Sequence, residues 1–284
     1  MLSLPSLRLE PVPRVATCAD KAKTERKIMR ITIGGVMCEV PDAAYYNLKN
    51  HAEDLAEYLG DSAENLIPII ADSSKLIADD WNEHAPQGGE QIHKWYCDTP
   101  LYLFELCAYH ANSPTYPLVT DAIERICSEK GGRILDFGGG DGDMALKLVR
   151  RGLNVEYCDV PGKTMEFAKW RFNKYGFDIK CISSDEPNVV PIDGQYDVIL
   201  CMDVLEHLVN PMAYCLEMYK HLYDRGIFIT RPSFSHDELH PMHLLENIKY
   251  ALCFNSEMED IGFEQIPSDG THIGVWVKRH HDKH

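Results

Sequence analysis

The stretch Arg133-Ile134-Leu135-Asp136-Phe137-Gly138-Gly139-Gly140-Asp141-Gly142 constrains the fold of this chain more than any other. A short apolar run ending in an acid reads as a buried parallel strand. Glycines follow, and Asp143 to Arg151 reads as a helix with Ala145, Leu148 and Val149 on one face and Gly152 as its stop. Strand, glycine turn and helix bring a nucleotide-like ligand against bare backbone. A Cβ in such a turn would block both the tight bend and the ligand's approach.

The acid beside the glycines narrows the ligand. A dinucleotide site offers a helix N-terminus to a pyrophosphate, and Asp136 would repel one. It suits a cationic amino-acid moiety instead. Net charge points the same way. The chain of 284 residues carries −16, which disfavours nucleic acid as a substrate and fits a small molecule or a cationic partner. The charge is uneven. Residues 1–40 hold seven Lys/Arg against four Asp/Glu, and residues 41–130 hold five against sixteen. No apolar run approaches the ~20 residues of a membrane span. The start Met1-Leu2-Ser3-Leu4-Pro5 lacks the pattern of a signal peptide. The ten cysteines form no CxxC pair, and Cys158, Cys181 and Cys201 fall in expected core strands. That scatter points to a reducing, cytoplasmic setting rather than to disulfides or zinc.

The chain opens with a Pro-broken segment to about Lys27. Met29–Ile33 and Val36–Val40 alternate around Gly34-Gly35, a β-hairpin pattern. Helices are expected from Asp42 as N-cap to Gly60, over 62–82 with an interruption near Pro68, over 100–111, and from Pro117 to Lys130. Residues 1–130 therefore read as a mainly helical N-terminal extension with a short hairpin. Within it, Gln91 to Pro100 is the expected lid. Trp95 and Tyr96 either face a substrate or pack the extension on its neighbour.

From Gly131 the alternation of strand and helix argues for a parallel sheet. Strands are expected at Leu153–Val160, Asp178–Ser184, Val198–Met202 and Asp224–Pro232, with helices at Lys163–Tyr175 and Pro211–Leu222. Gly262–Ile266 and Thr271–Lys278, joined by Ser268-Asp269-Gly270, read as a closing antiparallel hairpin. Asp159 ends the second strand, where an acid can accept both ribose hydroxyls of a nucleoside.

The pattern Asp136-x-Gly138-x-Gly140-x-Gly142 resembles the first motif of class I S-adenosylmethionine (SAM) methyltransferases. Asp203-Val204-Leu205-Glu206-His207-Leu208, followed by Asn210-Pro211, resembles the fourth motif of the ubiquinone O-methyltransferase-like group. The similarity covers about 131–279. It implies an α/β fold: a seven-stranded, mostly parallel Rossmann-like sheet with a closing hairpin in a SAM-binding domain at 131–284. It implies cofactor contacts at Asp136, Gly138, Gly139, Gly140, Asp159, Val160, Ser184, Asp185, Met202 and Asp203. Substrate contacts are expected at Trp95, Tyr96 and Arg231. The activity implied is methyl transfer to an O or N nucleophile of a small molecule by in-line displacement. A homo-oligomer is left open.

Ser235 to Leu244 holds His236, His240 and His243. With His207 these are the candidate catalytic residues, because a histidine near neutral pKa can take a proton from an attacking hydroxyl or amine. Asp203, Glu206 and His207 with one of these histidines form an alternative metal set. Small-RNA 3′-end 2′-O-methyltransferases use a Glu-x-x-Glu-His with a distant His in this way, whereas the first position here is Asp203. A third reading is that Glu206 and His207 only brace the loop. Metal-assisted RNA or protein methylation, a non-catalytic SAM-binding protein and an NAD-dependent oxidoreductase are the competing functions.

Overall fold

The computed structural model describes residues 28–33, 36–41, 52–113, 115–267 and 273–279. Two compact units divide the chain, Met1–Tyr45 and Tyr46–His284. In the first, β1 (Ile28–Ile33) and β2 (Val36–Pro41) pair antiparallel, with Ile33 opposite Val36, as the Gly34-Gly35 reading requires. The segment to Lys27, the Asp42 N-cap and the Ser268-Asp269-Gly270 turn lie outside the described residues.

In the second unit a helical stretch at 52–59 (α1) precedes α2 (Ala63–Ala71), α3 (Ser73–His84), α4 (Gly88–Asp98), α5 (Tyr102–Asn112) and α6 (Tyr116–Lys130). Pro68 sits inside α2, and the break falls four residues later at Asp72. The lid segment is itself helical, as α4. The helix reading missed it because only Ile92 and Trp95 on that helix are buried, too few to make an apolar stripe.

A seven-stranded sheet follows: β3 (Arg133–Phe137), β4 (Asn154–Asp159), β5 (Lys180–Ser183), β6 (Tyr196–Met202), β7 (Leu222–Arg231), β8 (Phe263–Ile266) and β9 (Gly274–Lys278). Its order is β5-β4-β3-β6-β7-β9-β8. The first five run parallel; β9 is antiparallel to β7 and to β8. Helices α7 (Asp143–Val149), α8 (Lys163–Lys174), α9 (Pro211–Lys220) and α10 (Tyr250–Ile261) connect them.

The central strands are apolar throughout because both faces are covered. Ile134, Val198, Leu200, Ile227 and Ile229 pack with Ile123, Leu148 and Phe172. Leu135, Ile199, Cys201 and Phe228 pack on the other face with Tyr214, Met218 and Met258. The alternation along each strand follows the two-residue side-chain period. From β3 the chain turns one way to β4 and β5, then returns to β6 on the other side. The crevice at the carboxyl ends of β3 and β6 is the topological switch point, where open α/β sheets bind ligands.

Candidate active site

The turn after β3 has the conformation its glycines permit. Gly138, Gly140 and Gly142 all have positive φ. A Cβ on Gly138 would stand 2.3 Å from Val204 Cγ2, so the loop after β6 closes directly on glycine backbone. The Gly138 N–H donates to the Cys158 carbonyl at 2.8 Å. The Tyr157 hydroxyl donates to the Gly140 carbonyl at 2.6 Å. Arg171, buried on α8, forms ion pairs with Asp54, Asp141 and Asp143 at 3.1 Å each. It ties α1, the glycine turn and α7 together. Burial would raise the Asp141 carboxyl, but His110 and Arg171 hold it below the usual carboxylate range.

Two acids end adjacent strands. Asp136 is 3% exposed, and its Oδ2 has no hydrogen-bond partner. Burial, with the Asp159 charge beside it, pushes its carboxyl up to about 7. Asp159 accepts the Gly140 N–H at 2.6 Å and the Val160 N–H at 2.7 Å. Burial pushes it up to about 6, against those two donors. Each oxygen keeps a lone pair for a ligand. Two acids held near neutrality, with bare glycine backbone between them, fit a ligand carrying an amino group and hydroxyls.

The crevice is a chamber of about 520 Å³. It joins Asp136, Gly138, Gly139, Gly140, Asp159, Val160, Ser184, Met202 and Asp203 to Tyr96, Arg231, His207, His240 and His243. Asp203 and Arg231 are committed to each other, Nε–Oδ1 at 3.1 Å and Nη2–Oδ2 at 2.5 Å. Glu206 is 1% exposed. Its Oε1 accepts the Ser233 N–H at 2.9 Å, and its Oε2 has no partner. Burial pushes this carboxyl up to about 7.

His207 Nδ1 lies 2.8 Å from the Tyr96 hydroxyl and 3.2 Å from the Met242 carbonyl. Burial, then His243, pushes its pKa down to about 3, so the ring is neutral. His243 donates from Nδ1 to the Ser235 carbonyl at 2.9 Å, which leaves Nε2 as an acceptor. Burial lowers its pKa as well. The His207 and His243 ring centres are 4.8 Å apart.

Three expected site residues lie elsewhere. Asp185 accepts the Ser183 hydroxyl at 2.7 Å on the exposed loop after β5 and does not line the chamber. His236 donates to the His243 carbonyl at 2.6 Å and faces a shallow surface groove with Leu239 and Pro241. Trp95 is packed edge-on against Trp81, and its indole N–H donates to Asp80 at 2.8 Å. It belongs to a small core with Ile77, Ile92, Met242 and Leu244, which holds α3 and α4 against the histidine loop. The sequence reading missed other lining residues: His93, Tyr102, Glu105, Tyr109, His110 and Tyr116. The signal for three of them was present. Tyr102, Glu105 and Tyr109 share a helical face opposite the apolar Leu103, Cys107 and Ala111.

The acid pair at the ends of β3 and β4, the glycine turn and the strand order together define a class I methyltransferase. Residues 109–280 match the methyltransferase domain family, and the chain belongs to that family. A ubiquinone biosynthesis O-methyltransferase of Azoarcus sp. (strain BH72) is 31% identical over 108 residues, 37% of this chain and 46% of that protein. The protein of the same name from Dechloromonas aromatica (strain RCB) is 31% identical over 127 residues, 44% of this chain and 51% of that one. The chain thus spans about half the length of the curated relatives it matches. Among solved structures, the CurJ carbon methyltransferase is similar in fold, with TM-score 0.51 and 16% identity over 74% of this chain and 71% of that one. No helix among the described residues is long and apolar enough to cross a membrane.

Proposed function

We propose that this protein methylates an oxygen or nitrogen nucleophile of a small molecule. One observation carries the reading: a single chamber joins the Asp136–Gly140–Asp159 cradle to the His207, His240 and His243 cluster. When bound, SAM supplies an electrophilic methyl group on a good sulfonium leaving group. Much of the rate can then come from holding nucleophile and methyl in line. Asp136 is the partner for the amino group and Asp159 for the ribose hydroxyls. Helices α3 to α5 act as the lid that excludes water. His243, neutral and with Nε2 open as an acceptor, takes the nucleophile's proton. His207 is the weaker base because burial opposes its protonation most. The net charge of −16 and the enclosed site favour a small acceptor over a nucleic acid. The names of the O-methyltransferase relatives agree with a small-molecule acceptor.

A second reading gives the cluster a divalent cation. Donor atoms of Glu206, His207 and His243 lie within 4.8 Å of one another. Met242 and Ser235 carbonyls fix the Nδ1 side of the two rings, the usual outer support of histidine ligands. Asp203 leaves the expected set because Arg231 holds it.

The test is calorimetric titration of cofactor-stripped protein with S-adenosylhomocysteine, with NAD as control, followed by labelled methyl transfer before and after chelation. Micromolar binding of the first alone supports the methyltransferase reading. Binding of NAD alone sinks it. Activity that survives chelation ends the metal reading.

A further inference from the structure

Helix α5 turns Tyr102, Glu105 and Tyr109 into the chamber, while Leu103, Cys107 and Ala111 are buried in protein. Among the described residues, no hydrogen bond or ion pair reaches the Glu105 carboxylate. Asp203 and Glu206 are among the other acids that line the same space. Arg231 is the only Arg or Lys among the described residues that line it. Its guanidinium is spent on Asp203, and it lies 5.4 Å from the centre of the Tyr109 ring. Glu105 and the orphaned Oε2 of Glu206 therefore have no Arg or Lys partner among the described residues that line the chamber. A carboxylate taken from water without a counter-charge is costly. Burial accordingly raises the Glu105 carboxyl, with His110 and His240 offsetting part of the rise. Tyrosine ring faces add attraction for a cation. Such a wall recognises an ammonium group and repels a phenolate or a carboxylate.

We propose that the acceptor is a small amine, anchored by Glu105 between Tyr102 and Tyr109 and methylated on nitrogen. This rests on the methyltransferase reading and names its substrate class. The amine enters as an ammonium paired with the Glu105 carboxylate and gives one proton to Nε2 of His243, the base named above. Its nitrogen lone pair then forms the new N–C bond. The C–S bond breaks and its electron pair returns to sulfur, which loses its positive charge. The product is a methylated ammonium, so the positive charge passes from sulfur to nitrogen within the same acidic chamber. The proton on His243 leaves to solvent when the product does.

The experiment titrates protein saturated with S-adenosylhomocysteine against matched probes that differ only in ammonium or hydroxyl. The pairs are benzylamine with benzyl alcohol and 2-phenylethylamine with 2-phenylethanol. Each is also offered as acceptor with radiolabelled SAM. The expected result is that the amine of a pair binds at least tenfold tighter and takes the label. Glu105→Gln, close to isosteric, should lose at least tenfold in amine affinity and nothing in alcohol affinity. Retained S-adenosylhomocysteine affinity reports that the variant is folded. Equal or tighter binding of the alcohols, label on hydroxyl alone, no amine binding, or unchanged amine affinity in Glu105→Gln would each overturn the proposal. Failure to bind S-adenosylhomocysteine at all would strike the methyltransferase reading first and take this proposal with it.

Discussion

Replacing Asp136 with asparagine separates what this residue costs the fold from what it gives the ligand. The side chain is 3% exposed, one oxygen has no partner, and its ionisation moves from 3.8 to about 7. A displacement of that size corresponds to about 4 kcal/mol. The native state keeps the proton up to about pH 7, whereas the unfolded chain releases it near pH 4. Between those values the native state binds more protons. Its stability therefore falls as pH rises through the window and levels off above it. Asparagine keeps the shape and never ionises. At pH 8 the ligand-free variant should be more stable than the wild type by about 1–3 kcal/mol, short of the full amount because the new amide brings unpaired donors of its own. At pH 4.5 the gain should vanish. S-adenosylhomocysteine affinity should fall at least about tenfold, or about 1.4 kcal/mol. Urea unfolding at both pH values, with and without the ligand, reads all three quantities. A variant no more stable at pH 8, a gain of equal size at pH 4.5, or unchanged ligand affinity would refute the reasoning.

Asp159→Ala should weaken S-adenosylhomocysteine binding by tenfold or more, and calorimetry giving an unchanged affinity would remove the ribose assignment. Gly138→Ala sets a Cβ 2.3 Å from Val204 Cγ2 at positive φ; a loss of about 2 kcal/mol or more is expected in denaturant unfolding. Trp95→Phe loses the indole hydrogen bond to Asp80, about 1 kcal/mol, with ligand affinity intact; a selective loss of acceptor binding would return Trp95 to the site. His243→Ala should lower turnover far more than SAM affinity, and a larger effect from His240→Ala would move the base to that residue.

The fold, the glycine turn and the acids at its strand ends were legible because they rest on local rules. Asp136 and Asp159 end apolar strands, and glycines stand where backbone must adopt positive φ. Those choices depend on nearest neighbours along the chain. The helix at Gly88–Asp98 was not legible, because part of its burial comes from contacts with Met242 and Leu244 far away in sequence. The same reason explains Trp95 and Tyr96. Adjacent residues on a helix point about 100° apart, so one is packed in the core while the other reaches His207.

The sequence by itself determined that a glycine turn with an acid beside it sits at the end of a parallel strand, since strand, turn and acid are contiguous in it. Only the tertiary structure decided the far end of the chamber. His207, His243 and Glu206 converge from two loops, Arg231 withdraws Asp203 from them, and Glu105 arrives from a helix that precedes the sheet. Long-range packing sets those distances, and burial, which exists only after folding, sets their charges.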